Sequence, residues 1–551
     1  MVKPEIKSLA ALFLAITLVP CVSAQVSVTT SRYNNLRNGL TQQETVLTRS
    51  NVNMGQFGKI CSATLDGQVY AQPLIVSNVT INGTLYSAVA YVVTMNDSVY
   101  AFDANSAGPT CNQLLFSNLL PAGEQPIACA NFGGGQCWAM SPVIGILSTP
   151  VINAASKTIY LVTQSQVGSQ PTGYFHRIHA LDISSFNEKF NGPAALAGSY
   201  QGSTFNSANH LQRPGLLLLA GGVNRVYVGL SLMDGVKGRP SGWIFGFNPA
   251  NLSAPPLAFA TAPTGTNAGA GIWEAGSGLA SGVDSSGTTY IYVATGDGNL
   301  TAPTGGLDYG DSLIKVKTDL SGVAAYFSPF TQACMRSGDL DFGSGGVMIF
   351  PPNTVPGHPY AEITGSKEGT LYIVDLDNPG GYHGNADCTG TNANIQTATG
   401  FLHFHNPTAY WNHNIYFSSF GQTPQTNLQM YGIGGTCSPG PLCSTATASS
   451  AVLFPAGANP SVSVNGTNAS TALVWVIGGP GVASGGAPAK LYAFDASNLN
   501  ELYDSGQCGT QDVPGPMVKF SVPTVANGRV FIGTQTDFDI YGELSSSRSC
   551  Q

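Results

Sequence analysis

Charge is scarce in this chain: only 9% of its residues are Asp, Glu, Lys or Arg, and Lys and Arg never gather into a run. With a net charge of −8, this argues against nucleic acid as a partner, because phosphate binding draws on clustered basic side chains. Beyond residue 24 no apolar stretch reaches the length of a membrane helix, so a soluble, exported mature chain with no transmembrane segment is expected. There is no CxxC and no CxxCH, which argues against a thioredoxin-like dithiol and a covalently attached c-type haem. Tryptophan is sparse as well, at 5 residues.

What is present begins with an export signal. Met1 to Ala24 carries Lys3 and Lys7, then an apolar run from Leu9 to Pro20 too short to span a bilayer, then the small residues Val22-Ser23-Ala24, so residues 1–24 read as a cleaved signal peptide. The protein is expected to be secreted, either extracellular or periplasmic. Cysteine agrees: of 11 residues, Cys21 leaves with the signal, and an even remainder in an exported chain suggests disulfides whose pairing the sequence leaves open. The short intervals Cys129 to Cys137 and Cys437 to Cys443 look like loop clamps. N-x-S/T sequons stand at Asn78, Asn82, Asn96, Asn251, Asn299, Asn465 and Asn468, and matter only in a host that glycosylates.

Gly 67 and Pro 34, with abundant Ser, Thr and Asn, suit many short strands joined by turns. One three-part pattern returns along the chain. A Pro-led or Gly-led strand (from Gln72, Thr149, Arg213, Ser277, Ser344, Asn406, Asn459 and Val522) is followed by an apolar strand such as AYVVT, IYLVT or IYVAT. A third strand such as VYAFDA, IHALDI or LYIVDL then ends near an acidic or polar turn. Eight such units follow one another, several with a fourth strand, while FGKICSATL at Phe57 to Leu65 stands alone before the first. An all-β fold is therefore expected: an eight-bladed β-propeller of four-stranded blades, whose last blade is closed by the N-terminal strand. The expected divisions are an entry segment at 25–56, a single propeller at 57–544 and a tail at 545–551.

These repeats, with their YxxD-type third strands, resemble the PQQ-like propeller superfamily, the quinoprotein alcohol dehydrogenases and their non-catalytic relatives. The resemblance covers nearly all of residues 57–544 and implies site residues by position. Trp273, ahead of TYIYVATGDGN, resembles the Trp that floors the quinone. Thr295-Gly296-Asp297 resembles the family's TGN turn, which makes Asp297 a calcium ligand; carboxylate and amide oxygens both suit calcium. DLDFGSGGV resembles the segment that carries the catalytic Asp and gives that place to Asp341. SKEGTLYIVD resembles the strand lead that contacts the quinone, through Lys367. The family's ligating acid from an earlier blade falls nearest to Asp234, in SLMDGVKGRPSGW.

Plainer readings stand beside these. Asp297 in TGDGN and Asp308 to Asp311 in DYGDS also suit tight turns. Trp273 suits blade packing, DLDFGSGG suits an inter-blade loop, and Lys367 suits a solvated charge. His403 and His405 share a strand face with His413 nearby, a set that three imidazoles could use for zinc or copper. Tyr309, Tyr382 and Tyr410 could stack on sugars. No adjacent Cys-Cys pair and no set of blade-closing Trp motifs occurs, both features of the catalytic alcohol dehydrogenases. That favours a non-catalytic or degenerate relative acting as a scaffold for envelope or extracellular proteins or glycans. The alternative is a PQQ- and calcium-dependent oxidoreductase acting on small-molecule alcohols, sugars or polyols.

Overall fold

A run such as Ala88-Val89-Ala90-Tyr91-Val92-Val93 cannot be shielded by covering one face, because successive side chains of a strand point to opposite sides. The computed structural model describes residues 25–131, 140–168, 173–232, 241–265, 268–420, 426–479 and 488–550, and it covers both faces by stacking sheets. In strand Thr84–Val93, residues Val89, Tyr91 and Val93 join one core cluster with Ile152, Ile159 and Leu161 of the next sheet. Ala88, Ala90 and Val92 join another with Phe531, Phe538 and Ile540 of the last sheet. The repeat is thus a blade, buried front and back by its neighbours.

Eight blades form the ring, mostly four-stranded and antiparallel. Their first strands are Leu74–Ile81, Val151–Asn153, Leu217–Leu219, Ala280–Val283, Met348–Ile349, Ala409–Trp411, Ser461–Ser463 and Thr524–Ala526, here blades 1 to 8. First strands of several neighbouring blades touch one another, which places them around the axis. Closure is as the sequence predicts: Phe57–Thr64 lies antiparallel to Asp537–Glu543, in register from Phe57 opposite Glu543 to Thr64 opposite Asp537, with a bulge between Lys59 and Cys61.

Disulfides staple this seam. Cys61–Cys111 ties the closing strand to blade 1, beside the bonds from Ser62 N to Pro109 O (3.0 Å) and from Cys111 N to Ser62 O (3.1 Å). Cys508–Cys550 ties the tail to blade 7, Cys334–Cys388 links blades 4 and 5, and Cys437–Cys443 forms the clamp its spacing predicts. Cys129 is also disulfide-bonded, whereas Cys137 and the signal segment lie outside the described residues. These bridges fit a secreted or periplasmic protein, and no helix among the described residues is long and apolar enough to cross a membrane. Because Cys61 and Cys111 close a loop with a sequence separation of 50, replacing both by Ser is expected to lower stability by about 2–4 kcal/mol, read as a lower denaturant midpoint.

The sequence reading leaves residues 25–56 as an entry segment; their first part bonds to every blade. Val28 exchanges backbone bonds with Ile75 (2.8 and 2.9 Å), and Thr29 O accepts from Ile152 N (2.8 Å). Asn35 Nδ2 donates to Leu218 O (3.3 Å). Carbonyls of Asn35, Leu36, Asn38 and Gly39 accept from Ser281, Ile349, Tyr410 and Val462 at 2.8–2.9 Å. Tyr33 Oη donates to Pro523 O (3.2 Å). Two fully buried arginines anchor this strap. Arg32 donates to Pro460 O (2.7 Å) and Thr408 O (2.8 Å). Arg37 donates to Leu279 O (2.9 Å), Leu216 O (3.1 Å), Thr30 Oγ1 (2.7 Å) and Ser31 O (2.8 Å). Burial lowers both guanidinium pKa values to about 10, which leaves them charged at neutral pH.

Candidate functional site

Four loops converge on one side of blades 4 and 5. Trp273 lies in the connection between Leu257–Ala260 of blade 3 and Ala280–Val283 of blade 4. Asp297 and Asp311 stand at the two ends of the loop joining Thr289–Ala294 to Leu313–Lys317. Those ends are zipped by Thr295 N to Ser312 O and Asp311 N to Gly296 O, both 2.9 Å. Asp341 follows the short helix Gln332–Gly338, and Lys367 sits in the turn after Ala361–Ser366 of blade 5.

The zipped loop gathers three carboxylates. One oxygen from each of Asp297, Asp311 and Asp341 lies within 4.8 Å of the others, and all three residues are buried. Backbone amides fix the set: Asp297 N donates to Asp341 Oδ1 (2.8 Å), and Phe342 N donates to Asp311 Oδ1 (3.2 Å). Gln332 Nε2 donates to Asp311 Oδ2 (3.2 Å). Gly296 is required at its place, since a Cβ there would stand 2.3 Å from Asp341 Oδ1 and 3.2 Å from Trp273 Cδ1. The TGD turn is therefore a turn and also a means of bringing a backbone amide onto a carboxylate.

The cluster concentrates negative charge. Two like charges about 4 Å apart repel by roughly 4 kcal/mol at an effective dielectric of 20, and more where water is excluded. Burial and then the charges of Asp297 and Asp341 push Asp311 well above the usual carboxylate range. Among the described residues Lys367 supplies a cation here: its Nζ lies 2.5 Å from Asp341 Oδ2 and 3.1 Å from Asp339 Oδ1. Burial alone lowers the Lys367 pKa, but Asp341 and then Asp339 outweigh it and the net shift is upward.

A cavity of about 140 Å³ opens beside this pair, lined by Trp273, Asp341, Lys367, Arg213, Lys519 and Phe520 among others. Trp273 is half-buried and packs against a cluster that includes Ile127, Cys129, Met140 and Ile144, from an added hairpin on blade 2. Another cavity, of about 800 Å³, lies at the seam around Lys59, Arg529 and the tail, far in the chain from these residues.

Of the residues singled out in sequence, Trp273, Asp297, Asp341 and Lys367 come together. Asp234 lies outside the described residues. Asp311, read as a turn residue, does occupy a turn (φ 47°) and also supplies the third carboxylate. Asp308 fits its turn reading: it accepts from Thr264 N (3.0 Å) and Thr301 Oγ1 (3.0 Å). His403 and His405 stack at 6.1 Å, but His413 sits in the hairpin turn after Trp411. Among the described residues, only the three Asp side chains gather closely enough to hold a metal.

Glu274, unremarked in sequence, is fully buried between Trp273 and Ala275. Its Oε1 accepts from Ala294 N (3.2 Å) and its Oε2 has no hydrogen-bond partner. Burial pushes its pKa up to about 8, against the smaller opposing effects of the Ala294 N–H and Arg37. Below about 4.5, where folded and unfolded chains are both protonated, its contribution is complete. Between about 4.5 and 8 the unfolded chain loses this proton and the folded one keeps it, so stability falls as pH rises. Glu274→Gln is expected to flatten that fall, on the order of a few kcal/mol, in denaturation midpoints measured between pH 5 and pH 8.

No family model matches the sequence, and no curated protein matches it. Solved structures do. The quinohemoprotein alcohol dehydrogenase from Comamonas testosteroni superposes with a TM-score of 0.59 at 12% identity, over 95% of this chain and 82% of that one. A europium-containing methanol dehydrogenase gives 0.57 at 11% identity, over 94% and 98%. A quinohemoprotein alcohol dehydrogenase from Pseudomonas putida HK5 gives 0.55 at 11% identity, over 95% and 81%. Eight blades, the repeat and these superpositions together give the chain the fold of the PQQ-like, quinoprotein alcohol dehydrogenase-like propeller superfamily.

Proposed function

We propose that this protein is an exported oxidoreductase that uses PQQ and calcium to oxidise alcohols, a class that includes sugars and polyols. The observation that carries the reading is the meeting of Asp297, Asp311 and Asp341 in one buried cluster beside Trp273 and Lys367. The residues fit both groups. A cluster in which burial and then the charges of Asp297 and Asp341 raise Asp311 suits a hard cation with oxygen ligands, which Asp297, Asp311 and Asp341 would hold. An indole floor with Lys367, Arg213 and Lys519 around it suits a planar anion.

When bound, the quinone and its calcium supply the two-electron acceptor and a Lewis acid. The chain's part is positional. Asp341 Oδ1 is held by Asp297 N–H, which leaves Oδ2, on the Lys367 side, as the atom that takes the proton from a substrate hydroxyl. Lys367 orients that carboxylate by its ion pair and by the bond from its own N–H to Asp341 O (3.0 Å). Trp273, backed by the blade 2 hairpin, excludes water from one side of the cavity.

A non-catalytic scaffold is the second reading. It is favoured by the size of the cavity, about 140 Å³ against the roughly 300–1,000 Å³ common for ligand pockets, and by the Lys367 ammonium already set against Asp341. Calorimetric titration with PQQ, with calcium or with chelator, followed by dye reduction on a panel of alcohols, separates the two. Calcium-dependent binding with turnover supports the oxidoreductase; absence of binding under both conditions leaves the scaffold.

A further inference from the structure

The helix Gln332–Gly338 has little of its own to hold it. At 7 residues it is well short of the roughly 12–15 at which an isolated helix becomes marginally stable in water, and Thr331 at its start supplies no side-chain cap. Gln332 and Met335 are its buried side chains. Yet the carboxylate cluster depends on it. Gln332 Nε2 donates to Asp311 Oδ2 (3.2 Å) and to Gly298 O (3.0 Å), which ties the two arms of the zipped loop together. The helix ends on Asp339 in a left-handed conformation (φ 53°), Leu340 N donates back to Met335 O (3.1 Å), and Asp341 follows. A shift of the helix therefore moves the Gln332 donor and the Asp341 carboxylate together.

What fixes the helix comes from blade 5. Thr331 Oγ1 donates to Glu368 Oε2 (3.1 Å). The connection between Thr370–Asp375 and Gln396–Ala398 runs back over blade 4: Gly381 N donates to Tyr326 O (2.9 Å), Ser328 N to Gly381 O (3.1 Å) and Phe330 N to Asn392 Oδ1 (2.9 Å). Within that connection Gly384 lies so near the helix lead that a Cβ on it would stand 2.2 Å from Phe330 O. A tight turn then presents Cys388 (φ 62°), whose N–H donates to Asn385 O (3.0 Å), and Cys388 is bonded to Cys334 in the middle of the helix. The bridge is thus a covalent link between a short, uncapped helix and a loop already packed on its lead. Cys334 is exposed and Cys388 half-buried, so a small dithiol reaches them.

We infer that the Cys334–Cys388 bridge positions the carboxylate cluster through Gln332 and Asp341, so that the cluster binds a divalent cation tightly only while the bridge is oxidised. For cation binding the inference rests on the oxidoreductase reading; for positioning it does not. Opening the bridge is an exchange with a dithiol. One reagent thiolate attacks the sulfur of Cys334, the more exposed cysteine, the S–S bond breaks and Cys388 leaves as a thiolate. The second reagent thiol then displaces Cys334. The protein gains two electrons and two protons, and the dithiol becomes its cyclic disulfide.

The test uses the whole protein: unaltered, opened with dithiothreitol while alkylation follows Cys334 and Cys388, as Cys334→Ser/Cys388→Ser, and as Cys437→Ser/Cys443→Ser to control for loss of a bridge in blade 6. Calcium affinity is read by calorimetry. Amide hydrogen exchange is followed without metal in peptides containing Asp297 and Phe342, whose N–H groups bond to the Asp341 and Asp311 carboxylates. We expect opening the bridge to weaken calcium binding about tenfold or more and to speed exchange in both peptides about tenfold, with the control unchanged and reoxidation restoring the affinity. Gln332→Met, which removes the donor and keeps the bridge, should weaken calcium binding by a similar factor. The dithiol series uses the unaltered chain, so it stands if the double variant fails to fold. Unchanged exchange in both peptides on opening overturns the inference, even where the denaturant midpoint falls. So does calcium bound equally well by opened and closed forms, or an equal loss in the control. Faster exchange on opening, in a protein that binds no calcium in any form, upholds the positioning and defeats the oxidoreductase reading instead.

Discussion

Asp341→Asn is expected to lower kcat for alcohol oxidation by about 10³-fold while leaving the fold and quinone binding in place. The substitution is nearly isosteric. Asn keeps an oxygen to accept the Asp297 amide, now held at 2.8 Å, so the loop keeps its geometry. What it loses is the oxygen beside Lys367, 2.5 Å from the ammonium, as a proton acceptor. The measurement is turnover with a dye acceptor beside a calorimetric titration of PQQ in the presence of calcium. A variant that binds the quinone and turns over at the wild-type rate removes Asp341 from the base role.

The second large effect concerns stability. Arg37→Met is expected to destabilise the protein by about 5 kcal/mol or more, because it strips a donor set from a place that water cannot reach. Arg37 is fully buried, and its bonds to Leu279 O, Leu216 O, Ser31 O and Thr30 Oγ1 all span 2.7–3.1 Å. Each buried acceptor left without a donor costs about 1–3 kcal/mol. Methionine matches the length of the stem and none of the donors. The loss should appear as a lower denaturant midpoint and as faster proteolysis within the strap; an unchanged midpoint would show that the strap contributes nothing to holding the ring.

The ring was legible in the sequence because a blade's inner strands are apolar on both faces. LYIVDL and VWVIG lie between two neighbours, so their pattern reads as continuous hydrophobic runs that recur with the blade spacing. Phe57–Thr64 was legible as a closing strand because it had no partner of its own in the first repeat. The strap was not. Its bonds run mostly to backbone carbonyls and amides, which carry no residue signature, and the visible trace is two arginines in a chain with few charges. The hairpin added to blade 2 and the short parallel strand Leu40–Thr41 on blade 7 escaped for the same reason.

At the site, Trp273, Asp297, Asp341 and Lys367 could be placed from their order along the blades. Asp311 could not, since Asp beside Gly is a turn signal and its second role appears only when the two ends of the loop are zipped together. Glu274 lacked a signal altogether: one acid after a Trp reads as a surface charge, and only the depth of the loop buries it.

The strap also dictates an order of assembly. Its partners span the chain: Val28 bonds to Ile75, whereas Val26 N donates to Asn527 Oδ1, 501 residues further along. The strand that completes blade 8 likewise waits for Asp537–Glu543 near the other end. The strap's full set of partners therefore exists only once the C-terminal blade does, and contacts of such long range form slowly. In a chain of this topology the last hydrogen bonds of the strap and the closure of the ring both wait on the C-terminal blade.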